Sequence, residues 1–308
     1  MANTKETVDI SVIIPCYNRV QTIGKAIDSI LLQDFDGRIE IIVSDDGSTD
    51  GSLEYIRKEY FSKVVVLEKP KDCLLQGASG TRNRGIEIAN GRYICFLDSD
   101  DYYKPNFCST LWKVLEENPR LGYVFCAVEQ EVFNNGHIES RRWTKDNMKF
   151  LDKKYHVLYS ANCIWTGCIM CRLDSLKKTG FFNTNFLVGE DTDLWLRLSE
   201  ESDGSFINKC CSVYCISGFA DNQLTEKESS RKNIFAVKVM EEALSRYNKN
   251  HLTDRIRLFL IRKNLIILKL TKKKGLLYSI YRQAIVHFCL LIRMPLTFIR
   301  YIGLRFVH

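Results

Sequence analysis

Several things are missing from this 308-residue chain, and each absence removes a class of function. The opening MANTKETVDI has no apolar core of the kind a secretory leader carries, so a cytoplasmic protein is expected. The bulkiest apolar region, residues 251–308, is broken by Arg282, Arg293 and Arg300, so it holds no uncharged run of the 18 or more residues that a spanning helix needs. The 12 cysteines do not form paired metal-binding knuckles. Cys168-Ile169-Met170-Cys171 is a C-x-x-C, but it encloses apolar residues, and the later group is Cys210-Cys211. Zinc wants two compact pairs with turn residues inside them, so these thiols read as reduced, small apolar residues. After the first strand-like run there is no glycine-rich loop bearing Arg and Lys; Cys16-Tyr17-Asn18-Arg19-Val20-Gln21 stands there instead. That argues against a sugar-nucleotide-forming nucleotidyltransferase.

What the chain does have is acid at strand ends. Tyr93-Ile94-Cys95-Phe96-Leu97 reads as a buried strand and runs straight into Asp98-Ser99-Asp100-Asp101. Three carboxylates in four residues repel one another unless a cation neutralises them. Hard oxygen ligands suit Mg²⁺ or Mn²⁺, which would bridge them to a phosphate-bearing substrate. The plain structural alternative is an acidic loop capping the next helix. Upstream, the run 38–43 ends in Ser44-Asp45-Asp46-Gly47-Ser48-Thr49-Asp50, a turn rich in N-cap residues before a helix starting near Ser52. Before that, Ile10 to Pro15 ends at Cys16-Tyr17-Asn18-Arg19. The strand–helix alternation predicts an α/β fold with a mostly parallel sheet, in which ligands bind beyond the carboxyl ends of the strands.

These blocks, in this order and followed by Gly189-Glu190-Asp191-Thr192-Asp193-Leu194-Trp195-Leu196-Arg197-Leu198, resemble inverting glycosyltransferases of family 2 with the GT-A fold. The resemblance spans about residues 8–200. It implies a Rossmann-like mixed sheet with flanking helices, a nucleotide-sugar half over about 8–101 and an acceptor half over about 102–215. It also implies roles for single residues. Pro15 and Tyr17 lie against the nucleotide base. Asp46 hydrogen-bonds that base, with Asp45 before it. Arg82 and Asn83 sit beside the donor. Asp98 approaches the ribose, Asp100 binds the metal, and Asp191 is the catalytic base. Family members often carry a His after a Tyr-Arg pair near residue 215; Tyr214-Cys215-Ile216-Ser217 departs from that, leaving the third metal contact open, with Asp221 the acid at hand. The Q-x-x-R-W block of processive synthases is missing, so one or very few sugars should be added per encounter.

The chemistry is coherent without the family. Cleaving a sugar from a nucleotide diphosphate builds charge on the leaving phosphate, which a divalent ion offsets. The acceptor hydroxyl needs a general base on the opposite face of the sugar, so one in-line attack inverts the anomeric centre. Burial among Phe181, Phe182 and Phe186, with Glu190 alongside, would raise the pKa of Asp191. The competing reading of residues 189–198 is a helix start whose acids merely favour the dipole. A UDP-sugar donor and a glycan or lipid-linked acceptor are expected, while a catalytically silent scaffold of the same fold remains the alternative.

The chain divides by charge. Residues 251–308 hold twelve Lys and Arg against Asp254, a net +11; since the whole chain is +7, residues 1–250 carry −4. Arg255, Arg262 and Lys269 recur every seven residues between runs such as Leu265-Ile266-Ile267-Leu268. Basic stripes beside wide apolar faces suit helices lying on an anionic membrane surface, here the inner face of the cytoplasmic membrane. Packing on protein is the other reading. Nucleic acid is not expected, because the bases interleave with Leu and Ile instead of stacking aromatics. The expected division is a catalytic domain over 1–220, a linker or lid over 221–250 and a basic helical tail over 251–308.

Overall fold

The computed structural model describes residues 7–70, 72, 77–134, 137–142 and 164–216, with 238, 239, 241–243, 245 and 246. Contacts divide the chain into two compact units, Met1–Lys227 and Glu228–His308. In the second unit the described residues are helical, with Val239 and Ala243 buried one turn apart on one face. The expected boundaries at 220 and 250, Asp221 and the whole tail 251–308 lie outside the described residues.

The first unit is built on a nine-stranded sheet. Strands β1 (Ile10–Cys16), β2 (Ile39–Asp45), β3 (Val65–Leu67) and β4 (Tyr93–Phe96) are parallel, in the order β3-β2-β1-β4. The connections are helices α1 (Ile23–Leu31), α2 (Ser52–Tyr60) and α3 (Gly77–Ile88). Strand β4 has all four residues buried, as a strand covered on both faces should. Helix α1 buries Ile23, Ala26, Ile27 and Ile30, an i, i+3, i+4, i+7 stripe that lays it on the sheet. Helix α3 comes closer still. A Cβ at Gly85 would stand 2.5 Å from Ile13 Cγ2, so the missing side chain lets the helix carrying Arg82 and Asn83 press onto β1.

Past Leu97 the chain no longer returns through a helix each time, and the sheet becomes mixed. Elements β5 (Tyr102–Tyr103), α4 (Phe107–Glu117), β6 (Leu121–Asn134), β7 (His137–Arg142), β8 (Ile169–Arg172), α5 (Leu173–Thr179), α6 (Glu190–Glu201) and β9 (Asp203–Ile216) follow in order. The sheet continues from β4 through β8, β6 and β9 to β5, with β7 paired to β6. Strand β8 is antiparallel to both β4 and β6, whereas β6 and β9 run parallel. The two halves thus join edge to edge at β4–β8, beside the DSDD turn.

Candidate active site

Three strand ends and one helix start converge. The turns after β1 and β2 are laced together: the Asn18 N–H donates to Ser48 Oγ (3.0 Å), the Thr49 N–H to Asn18 Oδ1 (2.8 Å), the Arg19 N–H to Ser52 Oγ (2.9 Å) and the Val20 N–H to Asp50 Oδ2 (3.0 Å). Asn18 itself adopts φ +53°, a left-handed conformation that Asn tolerates better than most residues. Tyr17 projects from this frame, 56% exposed.

The two acids of the DDGS turn have different work. Asp45 is buried, and its Oδ2 accepts from the N–H groups of Gly47 (2.7 Å) and Ser48 (2.9 Å), while Oδ1 accepts from Ser48 Oγ. Its carboxylate shapes the turn, with both oxygens engaged by Gly47 and Ser48. Asp46 faces a cluster of cations and amides: Lys69 Nζ at 3.2 Å, Arg84 Nη2 at 3.9 Å, and the Gly77 N–H donating to Oδ2 at 2.9 Å. Its Oδ1 is buried and, despite the nearby ammonium, makes no well-aligned hydrogen bond among the described residues. A buried acceptor of that kind invites a donor from a ligand.

Arg82, on α3, is 4% exposed and lies between the two halves. Nη2 donates to Asp98 Oδ1 (2.6 Å) and Nη1 to Glu190 Oε1 (3.1 Å). Burial alone would lower its pKa, but Asp98 and Glu190 outweigh this and raise it, so it stays charged. Asn83 is a strut. Its Nδ2 donates to the Phe182 carbonyl and its Oδ1 accepts from the Phe182 N–H, both at 2.9 Å. That commitment is to the loop before α6, where sequence reasoning expected a donor contact.

The DSDD turn splits its acids. Asp101 is 1% exposed and accepts from Trp165 Nε1 (3.0 Å) and the Cys215 N–H (2.9 Å), fastening the turn to β9. Burial, then Asp100 and Asp98, push its pKa well up. Asp98 holds Arg82, and Asp100 lies 3.7 Å from Arg19 Nε, an ion pair too long for a hydrogen bond. Burial and then Asp98 raise the Asp100 pKa, with Arg19 offsetting in part. Asp98 and Asp100 each face one guanidinium, and Asp101 and Glu190 stand beside them as further acids. The carboxylate oxygens of Asp98 and Asp100 are hard donors of the type that Mg²⁺ or Mn²⁺ takes.

Helix α6 brings the second pair of acids. Gly189, at φ +84°, makes the left-handed turn that starts the helix, and its carbonyl accepts from the Asp193 N–H (3.0 Å). Phe182 meets Phe96 edge-on at 5.1 Å and Trp195 at 6.1 Å, anchoring the loop and the helix to the end of β4. Arg197 clamps the same loop, pairing with the buried Asp193 (2.9 Å from Nε) and donating to the carbonyls of Thr179, Gly180 and Phe181. So within this block Asp193 and Arg197 are structural, while Glu190 pairs with Arg82 and Asp191 stands beside it, half-buried. Burial and then Asp191 hold Glu190 at about 7, against the opposing pull of Arg82. Burial raises Asp191, although its Oδ1 accepts from the Thr192 N–H at 2.6 Å. No hydrogen bond to Oδ2 occurs among the described residues.

Sequence reasoning missed the Arg82 bridge, the Lys69–Asp46 contact and the Arg197 clamp. A signal existed only for the clamp, the i, i+4 spacing of Asp193 and Arg197 on a helix. Among the described residues no cluster of three or more His, Cys, Asp or Glu is arranged around a point a metal could occupy, and no helix is long and apolar enough to cross a membrane. A cavity of about 450 Å³ lies along α1, lined by Lys25, Asp28, Tyr55 and Tyr102 among others. It contains none of the acids at the strand ends.

Residues 11–180 match the model of glycosyl transferase family 2. A beta-1,3-glucosyltransferase of Escherichia coli, WfgD, named for UDP-Glc and alpha-D-GlcNAc-diphosphoundecaprenol, is 30% identical over 72% of this chain and 83% of its own length. A Campylobacter jejuni enzyme, named GalNAc(5)-diNAcBac-PP-undecaprenol beta-1,3-glucosyltransferase, is 29% identical over 79% of this chain and 75% of its own. An uncharacterized glycosyltransferase of Rickettsia conorii is 30% identical over 68% of this chain, but the match spans only 33% of that longer protein. Among solved structures, S. aureus TarS 1-349 in complex with UDP-GlcNAc superposes with a TM-score of 0.68 at 17% identity, covering 91% of this chain and 81% of TarS 1-349. The mannosyltransferase PcManGT of Pyrobaculum calidifontis, in complex with GDP-Man and Mn2+, gives 0.59 at 15% identity, covering 97% and 84%. With its strand-end acids, mixed sheet and family match taken together, the chain belongs to glycosyl transferase family 2 and has the GT-A fold.

Proposed function

We propose that this protein transfers a sugar from a UDP-sugar to a hydroxyl of a lipid-linked or other glycan acceptor, with inversion at the anomeric carbon. The observation that carries the proposal is the gathering of Asp46, Asp98 and Asp100 at one sheet edge, with Arg82 bridging Asp98 to Glu190 of the Glu190–Asp191 pair. Asp46 would accept a base N–H through Oδ1, which is ion-paired with Lys69 but has no hydrogen bond among the described residues, beside the exposed ring of Tyr17, with Pro15 shaping the end of β1. Asp98 would face the ribose. Asp100 would hold Mg²⁺ or Mn²⁺, which supplies Lewis-acid neutralisation of the diphosphate when bound.

The remaining step belongs to Asp191. Its raised pKa makes it a stronger base than a solvated aspartate, and Oδ2 is the atom left to receive a proton. The acceptor oxygen loses its proton to Asp191 and bonds to the anomeric carbon, while the bond from that carbon to the diphosphate oxygen breaks on the opposite face. Glu190 is the poorer candidate because Arg82 already holds it. The names of the relatives support the choice of donor and acceptor: two are glucosyltransferases named for undecaprenol-linked diphosphate substrates, and one of these names states UDP-Glc. The basic residues of 251–308 would hold the protein against anionic lipid, at the inner face of the cytoplasmic membrane. The test is transfer from a panel of UDP-, GDP- and dTDP-sugars to an undecaprenyl-diphosphate-linked saccharide. Metal-dependent product from a UDP-sugar supports the reading; hydrolysis or transfer with none of the donors refutes it.

A further inference from the structure

Arg82 is nearly sealed from solvent, yet its two acid partners come from opposite halves of the site. Asp98 stands at the end of β4, on the donor side, and Glu190 opens α6, the helix that carries Asp191. The guanidinium also lies 5.3 Å from the ring of Phe182, and its Nε is buried with no hydrogen-bond partner among the described residues. Next to it, Asn83 grips the Phe182 backbone in both directions. One turn of α3 thus holds the acceptor-side loop by an amide pair and both acid groups by a single charge.

We propose that Arg82 is a positioning residue that couples the donor half to the acceptor half, keeping Glu190 as its counter-ion so that Asp191 alone is left to receive the proton. The inference rests on the glycosyltransferase reading above. Because Arg82 is shared, whatever occupies Asp98 changes how strongly Arg82 holds Glu190. A ribose hydroxyl bonding to Asp98 weakens that arm of the fork and concentrates the charge on Glu190, fixing the start of α6 once the donor is in place. By reciprocity, the state of Glu190 feeds back on donor affinity.

The experiment is a double-mutant cycle in the full chain with Arg82→Met and Glu190→Gln. It is read as thermal unfolding, UDP affinity by calorimetry, and kcat and KM for transfer. Arg82→Met should lower kcat by roughly 100-fold, the cost of misplacing a reacting group by an ångström, and change UDP affinity by less. Neutralising Glu190 as well should recover at least about fivefold of that loss, since the two residues interact directly. Should Arg82→Met fail to fold, Arg82→Lys keeps the charge but not the fork; its kcat loss should likewise shrink in the Glu190→Gln background. Equal losses in both backgrounds, or a loss confined to UDP affinity, would assign Arg82 to the donor alone and overturn the coupling. Wild-type protein inactive on every donor would refute the functional reading instead, and additivity in thermal unfolding would then still decide against the bridge.

Discussion

Asp101→Asn tests whether the DSDD turn divides its labour as described. Asp101 is 1% exposed, and each carboxylate oxygen accepts one N–H, from Trp165 Nε1 at 3.0 Å and from the Cys215 backbone at 2.9 Å. An amide keeps the shape but offers one acceptor and one donor, so one buried N–H must face another. Leaving a buried donor unmet costs about 1–3 kcal/mol. For a domain of this size each kcal/mol moves Tm by about 2–4 °C, so a fall of roughly 2–12 °C is expected. Trp165→Phe removes one of the two donors while keeping an aromatic ring in the place where Trp165 meets Tyr214 at 4.1 Å. The double variant should recover about 1 kcal/mol relative to the sum of the single changes. Urea and thermal unfolding of the full chain measure this, with UDP titration in parallel. An unchanged Tm in Asp101→Asn would mean that the Trp165 and Cys215 N–H groups do not both rest on this side chain, and the assignment of both oxygens as acceptors would be wrong.

Four further outcomes follow from the site. Glu190 titrates at about 7 in the fold against an ordinary 4.5, so between those values the folded protein holds a proton that the unfolded chain has released. Its contribution therefore falls as pH rises through that window; unfolding measured across it should show this slope flattened in Glu190→Gln, and a steeper slope in the variant would contradict the sign. Arg197→Met removes the ion pair to the buried Asp193 and the donors to three loop carbonyls, at a cost of about 1.5–3 kcal/mol in urea unfolding; a loss under about 1 kcal/mol would show that the clamp is idle. Asp46→Ala should weaken UDP binding by roughly 10–150-fold, the worth of a hydrogen bond to a charged group, and calorimetry showing unchanged affinity would remove Asp46 from the base site. Sedimentation of the full chain with liposomes should grow with anionic lipid content and fall with salt; indifference to both would leave residues 251–308 as a packing element.

The parallel half of the fold was legible because each strand is a short apolar run that stops at a polar turn. The runs read as 10–15, 38–43 and 93–97 are β1, β2 and β4 within two residues, and α2 starts at Ser52 as expected. The mixed half was harder to read. Strand β8 owes its antiparallel place to pairing with β4 and β6, neither of which is near it in sequence. The site divides in the same way. Acid clusters marked where the chemistry is, since carboxylates crowded at strand ends need a reason. Which acid serves the scaffold was not readable, because what sets Asp45 and Asp101 apart is that each collects two nearby N–H groups, against one for Asp46, and the fold decides that. The charge joining the halves was hidden for a similar reason: Arg82 meets Glu190 across 108 residues, and no local pattern announces it.

The most direct test of the account is the transfer rate of Asp191→Asn, measured together with its UDP affinity and with the anomeric configuration of the wild-type product. The amide keeps the shape of the side chain and can still accept from the Thr192 N–H through its oxygen, but it cannot take a proton. Transfer should fall by roughly 10²–10⁴ while UDP affinity stays near that of the wild type, and the wild-type product should carry the inverted anomer. A variant that transfers at the normal rate, or a product retaining the donor's configuration, would contradict the assignment of Asp191 as the base of a single displacement.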